Sequence, residues 1–446
     1  MKQNNKTLVF FLLFMGLSMG AMYAQQVYTL DECINITLQK NLQVQNSMMD
    51  VQSTKSQIRE AKSSFLPTVD LTGQYQYYLQ MPKMLLPAEF MPGGTPGEYV
   101  ELAFGVPQTM TAAVQASQVL YNQKVFIGLK AARTAKNLSD LMLSKTREDL
   151  IYNVSAIYYN LQVLTQNLMM VDSNIVSLSK IVKANSALEA NSIVSKTNYK
   201  RLLISLDNLK NERLNLALTT DKAYNLLKFL MCMPVQEQIA ISNFDAREYK
   251  LQAAVGDVDN RTDIKLLNEQ VELAKLDLKA SKASFYPSLA GVINYGVTGN
   301  NDKFSLTKTI NNQWMRSSFV ALQLNVPLFS GFSRTEKVRQ KGLELQKAQN
   351  NYELMKSSAQ KEMADAVNNY NSSCNSFENT KRSLNLAQDI YKSAQTEYAN
   401  GLISASDLLL ILNELTTARN NFSNALVNLR IAEIELKKSK GEIASK

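Results

Sequence analysis

The sequence of 446 residues contains no histidine, and this absence removes several classes of protein at once. Ser-His-Asp and Cys-His nucleophiles and the usual zinc sites all need histidine. Cysteine is scarce as well. Cys33, Cys232 and Cys374 stand alone without C-x-x-C spacing, so we interpret them as small buried hydrophobes and expect no disulfide. Nucleotide-binding loops and acidic clusters are also missing. The sequence therefore predicts that the chain is not an enzyme and that it binds no metal or cofactor.

Long hydrophobic runs are absent beyond the N-terminus, because no later stretch of 18 residues is both apolar and uncharged. At the N-terminus, Lys2 and Lys6 precede the apolar residues 8–22, and Ala24 offers a small residue for cleavage. This pattern is typical of a secretory signal peptide over residues 1–24. A membrane anchor is the alternative, but it needs roughly 20 apolar residues and the run has about 15. We therefore expect a secreted protein whose mature chain crosses no membrane by helices.

The formal charge is +9 and falls to +7 without the signal peptide, which carries two lysines and no acid. The remaining cations look dispersed along helices. Dispersed cations indicate solvated helix faces, so we expect no nucleic-acid partner.

The nine prolines divide the chain, since they leave the tracts 108–233, 235–286 and 328–446 without any. Proline costs roughly 3 kcal/mol inside a helix. These proline-free tracts are therefore where long helices are predicted.

A heptad seam supports this prediction. In the last tract the apolar positions alternate in steps of three and four, as in a coiled coil: Leu408, Ile411, Leu415, Ala418, Phe422, Ala425, Leu429, Ala432 and Leu436. The spacing before it predicts one helix over about 332–398, which at 1.5 Å per residue is about 100 Å long. Small and aromatic seam residues suit several interlocking helices. A cytosolic coiled coil would show the same pattern, so the seam leaves both possibilities open.

Between the helical tracts the period changes to two, which is typical of strands with one apolar face. The apolar positions of the four segments are Val69, Leu71, Gly73, Tyr75 and Tyr77; Met110, Ala112, Val114 and Ala116; Leu289, Gly291, Ile293, Tyr295 and Val297; and Val320, Leu322, Leu324 and Val326. Either a transmembrane β-barrel or a soluble antiparallel sheet would alternate in this way. The secretion signal and the aromatic residues at the strand ends favour the membrane.

The chain is built twice on the same plan. In the first half a helix is followed by Ser-Phe-Leu-Pro67 and a strand, and in the second half a helix is followed by Ser-Phe-Tyr-Pro287 and a strand. The later turns also repeat, at an offset of about 210 residues. The predicted boundaries are a signal peptide at 1–24, a first repeat at 25–231 with a hairpin at 67–121, a linker at 232–261, a second repeat at 262–436 with a hairpin at 287–329, and a C-terminal tail at 437–446.

Four strands cannot close a membrane barrel, because the smallest such barrels have eight strands and open edges are not tolerated in lipid. The barrel must be shared between protomers. Two copies would give eight strands and three would give 12.

Two motifs resemble the TolC family of outer-membrane factors. One is the Pro-Leu-Phe-x-Gly turn at Pro327, Phe329 and Gly331, and the other is the stretch from Tyr398 through Gly401 and Ser404 to Asp407, before regularly spaced Leu and Ala. The resemblance covers nearly the whole mature chain. It implies a mainly α fold with long coiled-coil helices forming an α-barrel. It also implies a homotrimer with four β-strands per protomer in a 12-stranded transmembrane barrel.

As function, the resemblance implies an outer-membrane exit duct of a tripartite efflux or type I secretion system in a Gram-negative bacterium. A periplasmic adaptor and an inner-membrane transporter of the RND, ABC or MFS type are the implied partners, besides outer-membrane lipid. The alternative is a coiled-coil structural or interaction protein of the periplasm or cell envelope. That alternative would not need four alternating strands at duplicated positions.

The resemblance also places an aperture at the inner tip of the helices. It implies an acidic ring at Asp407 and a tyrosine, Tyr398, that helps to hold the tip closed. Here the chain departs from the pattern, since Leu410 and Asn198 stand where further acids can occur. The implied tip turns contain Ser192, Gly401 and Ser404. Equally, Ser404 and Asp407 match a helix capping box, and the two roles are compatible.

The composition of two further segments also predicts how they are arranged. The Pro/Gly-rich stretch 81–107 is predicted to be an outward loop that either plugs the barrel mouth or packs on neighbouring loops. The segment 233–261 is predicted to pack with the C-terminal residues.

Overall fold

A computed structural model describes residues 26–103, 105–190, 195–242, 256–303, 309–310 and 314–443. The predicted signal peptide at 1–24 and the turn residue Ser192 lie outside these ranges. The described residues divide into two compact units. Those of the first lie within Met1–Met49, Leu141–Leu266 and Glu353–Lys446, and those of the second lie within Asp50–Asp140 and Leu267–Tyr352. We call them the helical unit and the sheet unit.

Helices account for most of the described residues. They are α1 (Leu30–Lys40), α2 (Leu42–Ser63), α3 (Gln123–Ala190), α4 (Lys196–Leu230), α5 (Thr262–Ala283), α6 (Ser333–Ala399) and α7 (Ala405–Ser439). The prediction of a helix of 67 residues near 332–398 is confirmed by α6, which has 67 residues, and its counterpart α3 has 68. The helix α7 continues to Ser439 and so includes the first residues of the segment predicted as a tail. Within the described ranges, no helix is both long and apolar enough to cross a bilayer.

The strands are β1 (Gln26–Tyr28), β2 (Thr68–Tyr77), β3 (Lys83–Pro87), β4 (Tyr99–Ala103), β5 (Gln108–Asn122), β6 (Ile239–Ile241), β7 (Ser288–Asn301) and β8 (Met315–Asn325). The four strands predicted from alternation, β2, β5, β7 and β8, form one antiparallel sheet in that order. Its register is continuous except for a bulge between Val119 and Tyr121. The strand β8 ends one residue before Val326, because Pro327 cannot donate to a ladder.

Two features of the fold differ from the sequence analysis. The stretch 81–107 is more than a loop, since β3 and β4 pair within it as an antiparallel ribbon. The segment after α4 contributes β6, which pairs in parallel with β1. Three-residue strands and a ribbon interrupted by Pro and Gly are too short or too irregular for alternation to be detected.

The core of the helical unit includes a cluster around the β1–β6 pair, formed by Cys33, Val154, Tyr158, Leu161, Leu227, Met231 and Ile239. The hydroxyl of Tyr158 bonds the carbonyl oxygen of Tyr28 at 3.1 Å and the hydroxyl of Ser242 at 2.6 Å. Burial raises the pKa of the Cys33 thiol to about 12, with a smaller contribution from Glu32. This cysteine is therefore a buried hydrophobe, as predicted, and Cys374 is buried too, but Cys232 is exposed just after the end of α4, so the prediction was wrong for that residue.

The segment predicted to pack with the C-terminus does so where it is described. Gly441 has a φ of +70°, and a Cβ there would lie 3.0 Å from the carbonyl oxygen of Asn260. Next to it, Arg261 is bound by Asp263 at 2.6 Å and by Glu362 at 2.8 Å. Burial opposes the charge of Asp263, but the Arg261 guanidinium holds the pKa of that carboxyl below its ordinary value. These contacts connect the linker, α5 and α6 within the helical unit.

Candidate functional site

The four-stranded sheet has one apolar and one polar face. Strand register places Val69, Ala116, Ile293 and Val320 in one row across the four strands. The next row on the same face is Leu71, Val114, Tyr295 and Ser318. Two rows lie on the opposite face. One consists of Asp70, Gln115, Asn294 and Phe319, and the other of Thr72, Ala113, Gly296 and Ser317. The alternation along each strand and the register across the strands thus place the same apolar residues on one face of the sheet.

The apolar face is uncovered within one chain. Leu71 is 76 % exposed and Val320 is 78 % exposed. A soluble antiparallel sheet buries its apolar face against a core. An apolar surface of this kind marks an interaction with another protein or with lipid. At the same time β2 and β8 form the two edges of the sheet, so their outer backbone groups face no strand of the same chain among the described residues.

The predicted strand–helix junction residues lie between the elements that they were expected to join. Pro67 lies between α2 and β2, Pro287 between α5 and β7, and Pro327 between β8 and α6. After Pro327 the chain turns sharply, since Gly331 and Phe332 have φ values of +59° and +64°. Glycine adopts this left-handed conformation without penalty, whereas Phe332 does so at a cost.

The turn between α6 and α7 contains Gly401 and Ser404, and Asp407 lies in the first turn of α7. Gly401 has a φ of +74°, and the N–H of Leu402 donates to the carbonyl of Glu397 at 2.9 Å, which closes α6 with a Schellman motif. Ser404 and Asp407 then form the predicted capping box, with each side chain bonding the other residue's N–H. Side-chain and then backbone hydrogen bonds from Ser404 hold the pKa of Asp407 below its ordinary value.

Near this turn, Tyr398 at the end of α6 is bonded to α3. The amide nitrogen of Asn185 donates to the Tyr398 hydroxyl at 2.5 Å and to the carbonyl oxygen of Ile181 at 2.8 Å. Asn185 is only 1 % exposed. The other predicted aperture residues have less specific surroundings. Leu410 is 60 % exposed, and Asn198 is half-buried in the first turn of α4, which Ser195 caps.

Sequence reasoning missed the residues on α3 that hold α6 and α7. Besides Asn185, the side chain of Asn174 accepts from Arg419 at 3.0 Å and that of Asn167 accepts from Ser423 at 2.7 Å. We call these three residues of α3 the asparagine ladder. Their signal was present in the sequence, because Asn167 and Asn174 are seven residues apart and Asn185 follows eleven residues later, among apolar residues such as Val171, Leu178 and Val182. Asparagines within an apolar seam mark specific polar contacts between helices.

A small cavity of about 70 Å³ lies beside two rungs of this ladder, lined in part by Asn167, Asn174, Glu212 and Arg419. The Nε of Arg419 is buried and has no hydrogen-bond partner among the described residues. Burial lowers the pKa of this arginine. The ladder therefore borders a small cavity, and its partner Arg419 keeps one buried nitrogen without a hydrogen bond among the described residues.

Comparison with known proteins decides what this arrangement is. A sequence profile of the family described as "Outer membrane efflux protein" matches residues 33–231 and 258–442. The chain belongs to this family. Among curated proteins it is similar to outer membrane protein TolC of Escherichia coli (strain K12), with 19 % identity over 414 residues, 90 % of this chain and 80 % of that protein.

Solved structures show the same fold. The CmeC outer membrane channel of Campylobacter jejuni has a TM-score of 0.76 at 17 % identity, over 93 % of this chain and 85 % of that chain. The MtrE outer membrane channel of Neisseria gonorrhoeae, in its open state, has a TM-score of 0.74 at 17 % identity, over 92 % and 88 % of the two chains.

The resemblance stated from two motifs is thereby confirmed. This efflux protein is an outer-membrane exit channel of tripartite efflux systems, with its helical portion in the periplasm. Channels of the family are transport conduits that form homotrimers and work with an adaptor and an inner-membrane pump.

Proposed function

We propose that three copies of this chain close one 12-stranded barrel by pairing β2 of each copy with β8 of the next. The apolar face of the sheet would then contact lipid, and the polar face would line a lumen. The observation that carries the proposal is the open sheet itself, which exposes one apolar face and leaves two edge strands. In lipid, only a closed ladder satisfies every backbone group.

The two faces can be tested against each other with arginine substitutions. Leu71→Arg and Val320→Arg place a charge on the apolar face, where the cost in a bilayer is about 2–4 kcal/mol for each arginine near the midplane. Thr72→Arg and Ser317→Arg are the matched controls on the polar face. We expect the first pair to reduce the amount of heat-modifiable trimer in the outer-membrane fraction and the second pair to leave it unchanged.

Equal loss in all four variants would contradict the assignment of the faces. Recovery of the unsubstituted chain as a soluble periplasmic monomer would refute the channel altogether and favour a coiled-coil interaction protein. Closure between copies has its own test. Cysteines placed on β2 and β8 of a chain without its native cysteines should cross-link into covalent trimers.

We further propose that the end of the helices at Tyr398 and Asp407 is the aperture, and that a periplasmic adaptor opens it. Support comes from the buried hydrogen bond between Asn185 and Tyr398, which holds α6 against α3 beside the turn. Asp407 is exposed, so its carboxylate has access to solvent as well as to the cap. The duct would be passive, with an RND, ABC or MFS transporter supplying the cargo for efflux or for type I secretion.

A further inference from the structure

The positive charge of this protein is concentrated at the helix ends that adjoin the sheet. Four ten-residue windows border it: 54–63 at the end of α2, 123–132 at the start of α3, 274–283 at the end of α5 and 333–342 at the start of α6. Together they hold 12 of the chain's 48 Lys and Arg but only three of its 39 Asp and Glu. Their net charge of +9 equals that of all 446 residues. The charge is thus localised, and the expectation that it is dispersed was wrong.

We call these 12 residues the basic belt. They are Lys55, Arg59, Lys62, Lys124, Lys130, Lys275, Lys279, Lys282, Arg334, Lys337, Arg339 and Lys341. All lie in the sheet unit, and nine are exposed. Within the described residues only Lys275 and Lys341 form ion pairs, with Glu272 at 2.7 Å and with Glu344 at 2.6 Å. Lys341 also approaches Asp277 at 3.7 Å. The belt is therefore largely uncompensated within the chain.

The duplication reproduces the belt. Lys55, Arg59 and Lys62 follow one another at i, i+4 and i+7 along α2, and Lys275, Lys279 and Lys282 do the same along α5. This spacing places each set on one face of its helix. Like charges at this spacing destabilise a helix by a few tenths of a kcal/mol per pair in water. A repeated unfavourable pattern calls for a partner of opposite charge.

The helix macrodipole does not supply that partner. Cations at the C-terminal ends of α2 and α5 suit the dipole, but those at the N-terminal starts of α3 and α6 oppose it. Lys124, Arg334 and Lys337 lie within the first two turns of their helices. Their placement relates to the sheet, and not to the polarity of each helix.

Exposed aromatic and large apolar side chains lie between the belt and the strands. Tyr286 is 57 % exposed, Phe329 is 78 % exposed and Phe332 is 70 % exposed. Aromatic residues concentrate where a bilayer meets water, at the level of the lipid headgroups. The windows reach about 15 Å beyond the strands at 1.5 Å per residue, so long basic side chains can reach back to the headgroup layer.

We propose that the basic belt binds the phosphate-bearing headgroups of the phospholipid leaflet on the periplasmic side, with a preference for anionic lipids. The proposal rests on the proposed function, because it needs the apolar face of the sheet to lie in the membrane. The order along the chain is then apolar strand, aromatic junction and cationic helix end. It follows the order of the bilayer from hydrocarbon to interface to phosphate.

The test uses the full mature protein reconstituted in phosphatidylcholine vesicles with one part in five of phosphatidylglycerol. Electron spin resonance of spin-labelled lipids gives the association of phosphatidylglycerol relative to phosphatidylcholine. One cation near the membrane surface binds an anionic lipid about fivefold more strongly than a neutral lipid at its own site. Averaged over all lipids in contact with the protein, this gives a preference for phosphatidylglycerol of roughly twofold or more. We expect this preference in 0.1 M salt and its loss in 1 M salt, where the screening length falls to about 3 Å.

The belt variant carries Lys62→Gln, Lys124→Gln, Lys282→Gln and Lys337→Gln, one exposed lysine at each junction. Its matched control carries Lys180→Gln, Lys200→Gln, Lys222→Gln and Lys392→Gln, four exposed lysines of the helical unit. The belt variant should lose most of the preference for phosphatidylglycerol, and the control should keep it.

Three results separate the possibilities. A belt variant with unchanged lipid preference overturns the proposal, and if its anion-to-cation permeability ratio falls instead, the belt faces the lumen. A wild-type protein that inserts and conducts ions without preferring phosphatidylglycerol also overturns it, but leaves the channel intact. A wild-type protein that neither inserts nor conducts in any lipid refutes the proposed function itself.

Discussion

Replacing Tyr398 by phenylalanine should open the channel, and the structure gives the size of the effect. The change removes the acceptor of one N–H of Asn185 but leaves the ring in place. Because Asn185 is 1 % exposed, no water reaches the orphaned donor while α6 remains packed on α3. A buried unsatisfied donor costs about 1–3 kcal/mol. An open state that hydrates Asn185 avoids this cost, so the open population should rise about 5- to 140-fold for each protomer that acts alone.

Single-channel recording in planar bilayers measures this change as a higher open probability or a larger mean conductance of Tyr398→Phe. The matched control is Tyr199→Phe. Tyr199 packs against the same buried cluster of Leu178, Val182 and Leu202, and its hydroxyl has no hydrogen bond among the described residues. It should conduct like the wild-type protein. Similar opening by both variants would mean that loosened packing, and not the lost hydrogen bond, is responsible.

A double variant makes the test stricter. Replacing both partners of a buried hydrogen bond by apolar groups of similar shape can be nearly neutral, since no polar group is then stranded. Asn185→Leu combined with Tyr398→Phe should therefore close the channel again, most of the way to the wild-type level. If the double variant is as open as Tyr398→Phe, the unsatisfied donor is not the cause and the reasoning fails.

Further predictions concern the turn and the cysteines. Asp407→Ala should raise single-channel conductance or weaken block by trivalent cations, and unchanged conductance would leave Asp407 only its role as a cap. Because hydrogen bonds lower the pKa of Asp407, the capping box should persist above the ordinary aspartate value of 3.8 and weaken as pH falls through the lowered value, as circular dichroism can follow. Gly401→Ala forces alanine to a φ of +74° and should lower thermal stability by about 1 kcal/mol, whereas Gly342→Ala inside α6 should raise it slightly. Burial raises the pKa of the Cys33 thiol to about 12 and shields it from solvent, so at pH 8 a maleimide should label the exposed Cys232 and spare Cys33 until the protein is denatured.

Much of the fold was predictable because its main elements are long and regular. Proline-free tracts with a heptad seam specified α6 nearly to the residue, and period-two alternation specified four strands. The elements that the sequence analysis did not predict are short. The β1–β6 pair has three residues in each strand, and no periodicity can be read from three positions. Its position is set by tertiary packing around Tyr158, which sequence spacing does not show.

The candidate site was predictable only in part, for a different reason. Tyr398, Gly401 and Asp407 were found through a motif, because a turn requires particular residue types at fixed spacing. Asn185, the hydrogen-bond partner of Tyr398, lies 213 positions from it, so no local pattern links the two. The basic belt was missed because a charge summed over the whole chain hides where it lies. Once the ends of the helices are known, the four basic windows are seen to border the same sheet.

The polar contacts of α3 with α6 and α7 lie apart from the other contacts of the helical unit, and this separation bears on the proposed opening of the aperture. The asparagine ladder provides two neutral hydrogen bonds and one from a guanidinium to α6 and α7. At about 0.5–1.5 kcal/mol for a neutral bond and 1.5–3 for a charged one, the ladder contributes roughly 2.5–6 kcal/mol. The Arg261 pairs with Asp263 and Glu362 lie outside it, as does the cluster around Tyr158. A partner that binds only the open form stabilises that form by RT ln(1 + [L]/Kd), which is about 2.7 kcal/mol at 100 times Kd and about 4.1 kcal/mol at 1,000 times Kd. This is of the same size as the contribution of the ladder, so we infer that an adaptor present well above its Kd can separate α6 and α7 from α3 at the ladder while the rest of the unit stays folded.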